Sequence, residues 1–174
     1  MLKREKIRKP IKRARLKLRP RNHSDYDACL EMDKDPAVTK YVDGPWRDPA
    51  AHRAFLNERF ELRLPPPLGY WSVFSKIEPS AFLGWVMLLP DNDKIAEVEI
   101  GWRFARAAWG FGYATEAASC LVRRFRDSTD GATLSAHIHP ENAGSINVAE
   151  KIGMTRARVA QESVEAEQLF ILHV

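Results

Sequence analysis

From residue 69 onward the rhythm of apolar positions changes. Tyr70 to Phe74, Phe82 to Leu89 and Ile95 to Phe104 are rich in aromatic and branched residues. Glu78-Pro79-Ser80 and Pro90-Asp91-Asn92-Asp93 separate them. Such runs between turn formers predict three successive antiparallel strands. Earlier in the chain, Arg15-Leu16-Lys17-Leu18-Arg19 alternates polar and apolar and predicts a first strand, ended by Pro20. Ser24 or Asp25 is placed to cap a helix carrying Tyr26, Cys29, Leu30 and Met32, which Asp35-Pro36 breaks. Asp43-Gly44-Pro45 marks a turn. Asp48 before Pro49 reads as an N-cap with proline at the first helical position. The helix it opens is expected over Ala50 to Leu62, with Phe55, Leu56 and Phe60 on one side.

Beyond the third of these strands, helical spacing runs from Tyr113 to Arg126. A strand is expected over Ala132 to Ile138, then a short helix over Ala143 to Lys151 that stops at Gly153, in the place of a C′ glycine. Residues 155–160 and 168–174 read as a closing pair of strands. The order is strand, two helices, three strands, helix, strand, helix, two strands. That is a single α+β domain over residues 15–174, preceded by a basic, flexible extension over residues 1–14.

The 174 residues suffice for one domain with a real core. No apolar run approaches the roughly 20 residues that cross a bilayer. The N-terminus is charged from its third residue and lacks the apolar centre of a secretory signal, so a cytoplasmic location is expected. Cys29 and Cys120 have no metal-ligand spacing, and a small buried side chain is the reading of Cys120. No metal is expected. The first 21 residues carry a net +10 and the remainder a net −6. The basicity therefore belongs to the tail. It is suited either to solubilising the chain or to a weak contact with RNA or the ribosome through phosphates.

The densest chemical signal is Arg106-Ala107-Ala108-Trp109-Gly110-Phe111-Gly112-Tyr113-Ala114-Thr115-Glu116-Ala117. Two glycines lie between a strand and a helix, where the first helical N–H groups have no partner and the peptide dipoles add partial positive charge. A diphosphate suits such a place if the backbone can approach it, and glycine removes the Cβ in the way. No Gly-Lys-Ser/Thr follows, and Thr115 stands where a G-x-G-x-x-G would have its third glycine, so neither nucleotide motif is complete. A plain tight turn explains the glycines equally well on this stretch alone.

The wider context resembles the GNAT superfamily of acetyl-CoA-dependent N-acetyltransferases, and within it the ribosomal-protein-alanine N-acetyltransferase branch. The pieces RLKLRP, WSVFSK, FLGWVML, AEVEIGW, WGFGYATEA and HPENAGSINVAEKIGM occur in that family's order over residues 15 to 174. The resemblance implies a central twisted sheet of about seven mixed, mostly antiparallel strands flanked by about four helices. It implies acetyl-CoA as co-substrate, its diphosphate held at Arg106, Trp109, Gly110, Phe111, Gly112, Tyr113, Ala114 and Thr115. It implies that the pantetheine arm pairs with main-chain groups of Trp102 and Phe104 where two strands splay. Asn142 and Ser145 match the family's Asn-x-x-Ser and are expected at the same arm, although either residue could instead cap the helix that follows. One departure is plain: the family's loop often begins with Arg or Gln three residues before its first glycine, and here that residue is Ala107.

Acetyl transfer to an amine needs a free lone pair, and a carboxylate, often through water, can take the proton. Glu97 and Glu99 share one face of a strand. Glu99 matches the Glu of the family's Glu-Ile-Gly-aromatic signature and is the expected base or amine anchor, with Glu97 second. A solvated sheet face is the alternative for both. Many relatives carry a Tyr that protonates the leaving thiolate; Ala149 stands where it would be sought, leaving Ser145 or solvent. His137 and His139 close a strand without a metal partner; His139 as base is a minor alternative. The first two helices are expected to shape the acceptor pocket, with Tyr41, Trp46 and Arg47 in it. The function expected is transfer of an acetyl group to a primary amine, with a protein N-terminus as acceptor. The rivals are a small amine such as an antibiotic or polyamine, and a non-catalytic acyl-CoA sensor or ribosome-binding module.

Overall fold

A computed structural model describes residues 11–12, 15–90, 97–129, 131–157 and 167–174. Its elements are β1 (Ile11–Lys12), β2 (Leu16–Pro20), α1 (Tyr26–Asp33), α2 (Pro49–Glu61), β3 (Gly69–Ser75) and β4 (Phe82–Pro90). They continue with β5 (Glu97–Phe104), α3 (Tyr113–Arg126), β6 (Thr133–Ile138), α4 (Ala143–Lys151), β7 (Thr155–Arg156) and β8 (Gln168–His173). The strands form one sheet in the order β1-β2-β3-β4-β5-β6-β8-β7. Only β5 and β6 run parallel; the other neighbours are antiparallel.

Alternation along the strands sorts this sheet into two faces. Leu16, Leu18, Trp71, Val73, Val86, Leu88, Val98, Ile100 and Phe104 point to one side, where Ala117, Leu121 and Phe125 of α3 and Val148 and Ala149 of α4 cover them. Trp85 points to the other side, against Cys29, Leu30 and Met32 of α1 and Leu56 and Phe60 of α2. Burying one such Val, Leu or Phe side chain stabilises by about 1.5–3 kcal/mol. Glu97, Glu99, Gly101 and Arg103, in alternate register to Val98, Ile100 and Phe104, therefore belong to the α1–α2 face.

The entry into α1 differs from expectation. Asp25 does stand at the N-cap position of α1, but its side chain makes no capping bond to the helix. Asn22 opens a 3-10 turn, His23–Asp25, and accepts the Ser24 N–H at 3.0 Å. The Asp25 carboxylate reaches back to the Asn22 N–H at 3.2 Å, the reciprocal half of a capping box. Asp25 is thereby buried, and its carboxylate holds Arg19 Nη1 and Ser72 Oγ, each at 2.8 Å. Cutting one partner from a buried pair of this kind costs about 3–5 kcal/mol. Asp48 does cap α2, accepting from Ala50 and Ala51. At the end of α4, Gly153 donates to Glu150 O and Met154 to Ala149 O, a Schellman close.

The expected boundaries moved in two places. Ile11 and Lys12, inside the segment read as an extension, pair with Leu18 and Lys17 as an edge strand. The basic residues on either side of them lie outside the described residues. The strand expected over 155–160 is Thr155–Arg156, and residues 158–160 lie outside the described residues.

Candidate active site

β5 keeps one partner and loses the other. It pairs with β4 from Val98 to Phe104, but with β6 only from Glu97 to Glu99. Beyond the Glu99–Ser135 pair the two parallel strands part. The direction of the exposed main chain follows from one bond: Ala105 N–H donates to Leu83 O of the β4 side at 2.9 Å. Main-chain groups of an antiparallel ladder alternate in direction. Arg103 and Gly101 thus also face β4, and Trp102 and Phe104 face the gap. The Phe104 carbonyl is already taken, because the Trp109 indole N–H donates to it at 2.8 Å. That bond ties the loop after β5 to the strand end.

The loop itself opens with a 3-10 turn, Arg106–Ala108, closed by the Trp109 N–H on Arg106 O. Gly110 and Gly112 follow with φ of 81° and 76°, the left-handed region that side chains disfavour. A Cβ built on Gly110 meets nothing within 4 Å, and one on Gly112 meets only Arg15 Nη2, at 3.8 Å. The glycines are thus not forced by crowding within the protein; the space above them is open. The first α3 donor with a helical partner is Glu116, bonded to Gly112 O at 3.0 Å. Among the described residues no backbone acceptor is recorded for the amides of residues 110–115. These donors, the dipole of α3 and the open space together suit a diphosphate. Trp109 is 47% and Phe111 59% exposed at the rim, and the Phe111 ring stacks on Tyr113 at 5.7 Å. Ala114 and Thr115 occupy the first turn of α3. Arg106 is exposed and lines, with Ala107, Ala105 and Phe82, a cleft of about 700 Å3 whose other wall is Ala28, Glu31 and Met32 of α1.

Glu99 sits half-buried at the last pair before the gap, opposite Ser135 on β6 and Leu89 on β4. Glu97 lies two residues back on the same face, opposite Thr133. Burial holds the Tyr70 phenol above its usual range against the pull of Arg21, Arg59 and Arg103; the Glu99 carboxylate adds to the rise. Among the described residues the buried Ser135 hydroxyl has no hydrogen-bond partner. Asn142 is the N-cap of α4: its Oδ1 accepts the Ser145 N–H at 3.1 Å. The cap leaves the Asn142 amide NH2 and the Ser145 hydroxyl for other partners.

Of the expected acceptor residues, Tyr41 is brought to the gap. It lies between α1 and α2, yet its ring stacks at 5.0 Å on His139, the residue that follows β6. Trp46 is spent on the loop: its indole donates to Val42 O, its edges meet His52 and Phe55, and Arg103 lies over it at 4.9 Å. Arg47 is exposed beside it. Arg103 is held in turn by Asp33 at 2.9 Å. Sequence reading passed over Arg15, whose guanidinium reaches the Gly110–Gly112 loop, and Ser135. A strand-initial arginine and a mid-strand serine carry no local signal of their distant neighbours.

A parallel strand pair that parts at Glu99 thus leads, along β5, to open amides at the start of α3. The family model for the acetyltransferase (GNAT) domain matches residues 15–155. The chain belongs to the GNAT acetyltransferases. It is similar to the uncharacterised protein YkkB of Bacillus subtilis, at 37% identity over 122 residues, 69% of either chain. A solved acetyltransferase from Agrobacterium tumefaciens matches with a TM-score of 0.78 and 25% identity over 95% of both chains. RimL, a ribosomal alpha-N-protein acetyltransferase solved with coenzyme A, shares the fold at a TM-score of 0.72 and 16% identity, over 94% of this chain and 96% of its own.

Proposed function

We propose that the chain transfers the acetyl group of acetyl-CoA directly to a primary amine, with a protein N-terminus as acceptor. The observation that carries this reading is the coincidence of the parted β5 edge, ending at Glu99, with the open amides of residues 110–115. The main chain of Trp102 and the Phe104 N–H hold the pantetheine arm. The amides around Gly110 and Gly112 hold the diphosphate, and Asn142 NH2 and the Ser145 hydroxyl border the arm from α4. Acetyl-CoA supplies the activated acyl group.

In the transfer step the amine nitrogen forms a bond to the acetyl carbon and the carbon–sulfur bond breaks. Glu99, directly or through water, takes the proton the amine sheds, with Glu97 behind it. The thiolate takes a proton from solvent or the Ser145 hydroxyl. An N-terminal amine titrates roughly 2.5 pH units below a lysine, which eases deprotonation by about 3 kcal/mol. Structural neighbours act on both classes of amine, a protein α-amine for RimL and spermidine for another, so the acceptor panel includes both. The location is cytoplasmic in this reading, and the basic tail is a solubilising or weakly RNA-binding extension.

Thiol release from acetyl-CoA, measured over a panel of N-terminal peptides, polyamines and aminoglycosides, tests the proposal. Release with peptides is expected. Release with the small amines alone would replace the acceptor, and CoA binding without turnover on any amine would reduce the protein to a sensor.

A further inference from the structure

Arg15 precedes β2 and lies 96 positions from Phe111, yet its Nη1 donates to the Phe111 carbonyl at 3.0 Å. Its Nε and Nη2 hold Glu116 Oε2 at 3.0 and 2.9 Å. The same guanidinium lies 5.0 Å over the Tyr113 ring. One side chain just before β2 thus grips three residues of the loop and the first turn of α3.

Resting on the acetyl-CoA reading above, we infer that Arg15 is the positioning residue that aims this loop at the diphosphate. The argument has two parts. A trans peptide points its C=O and the next N–H in opposite directions. Pinning the Phe111 carbonyl to Arg15 turns the Gly112 N–H away from the guanidinium, outward from that contact. The second part is charge. Glu116 lies in the first turn of α3, where a carboxylate satisfies the helix dipole but repels an incoming anion. Among the described residues its buried Oε1 has no hydrogen-bond partner, and Arg15 is the cation paired with that carboxylate. A planar fork can serve the carbonyl and the carboxylate together; a lysine is a single point charge.

The test compares acetyl-CoA with acetyl-pantetheine, which lacks the diphosphate, as acyl donors for wild type, Arg15→Ala, Arg15→Lys and the double variant Arg15→Ala/Glu116→Gln. For Arg15→Ala the KM and Kd for acetyl-CoA rise about 10- to 100-fold, the size of a lost charge-assisted interaction. At saturation kcat stays within about twofold, and kcat/KM for acetyl-pantetheine is unchanged, because no diphosphate is engaged. Arg15→Lys falls between, and removing the Glu116 charge in the double variant recovers part of the loss. Equal losses with both donors in Arg15→Ala, or in Arg15→Lys should the alanine variant not fold, would make Arg15 a general fold brace and overturn the inference. So would an unchanged acetyl-CoA affinity. Wild type failing to bind acetyl-CoA at all would instead strike the underlying reading.

Discussion

Replacing Gly110 with alanine separates a turn from a binding cradle. The residue has φ of 81°, and an added Cβ meets no atom within 4 Å. The methyl therefore brings backbone strain alone, about 1–2 kcal/mol for an L residue in the left-handed region. In a domain of this size that lowers Tm by roughly 2–8 °C. The same methyl projects into the space the diphosphate needs. Loss of one hydrogen bond to a charged group is about 1.5–3 kcal/mol, or about 10- to 150-fold in Kd. The assay is calorimetric titration of acetyl-CoA beside a melting curve. Gly84→Ala is the control: its Cβ would stand 2.2 Å from Arg103 O and 2.7 Å from Phe104 Cα, so β4 and β5 must shift and stability suffers first. If Gly110→Ala lowers Tm as stated but leaves the Kd within twofold, the glycine serves only the turn.

Glu99→Gln is expected to lower kcat by about 10²- to 10⁴-fold with acetyl-CoA affinity retained; unchanged turnover would remove Glu99 from the chemistry. Burial pushes the Cys29 thiol from 9.0 up to about 12, with Asp33 and Asp25 adding to the rise and Arg21 opposing it. A pKa raised in the folded state contributes stability that is complete below pH ~9 and is lost as pH climbs toward 12. Chemical denaturation between pH 8 and 11 should thus show a steeper alkaline loss for wild type than for Cys29→Ala, and parallel curves would contradict it.

The helices were legible where caps and periodicity agree. Tyr113–Arg126 and Ala143–Lys151 fell where spacing placed them because Gly112, Asn142 and Gly153 punctuate them. Asn22 escaped notice because its partner Asp25 is also needed by Arg19 and Ser72, contacts set by the sheet and invisible locally. The glycine loop stood out as a motif, but its open side is a property of the packing. The parting of β5 from β6 after Glu99 came from family resemblance, since nothing in Glu-Ile-Gly-Trp says which neighbour a strand loses. Asn142 had two open readings, and the structure places its carbonyl in the cap. Trp46 was legible as an aromatic near the first two helices, but its contacts with Val42, His52 and Phe55 are set by the fold and not by local sequence. Arg15 shows the same limit, because its partners lie 96 and 101 positions away.

Amide resonances followed through a titration of the full chain with CoA test the central claim most directly. The account predicts saturable shifts concentrated at residues 110–115, with Trp102 and Phe104 moving in the same concentration range. Shifts that leave those amides in place while others move, or no saturable shifts at all, would contradict it.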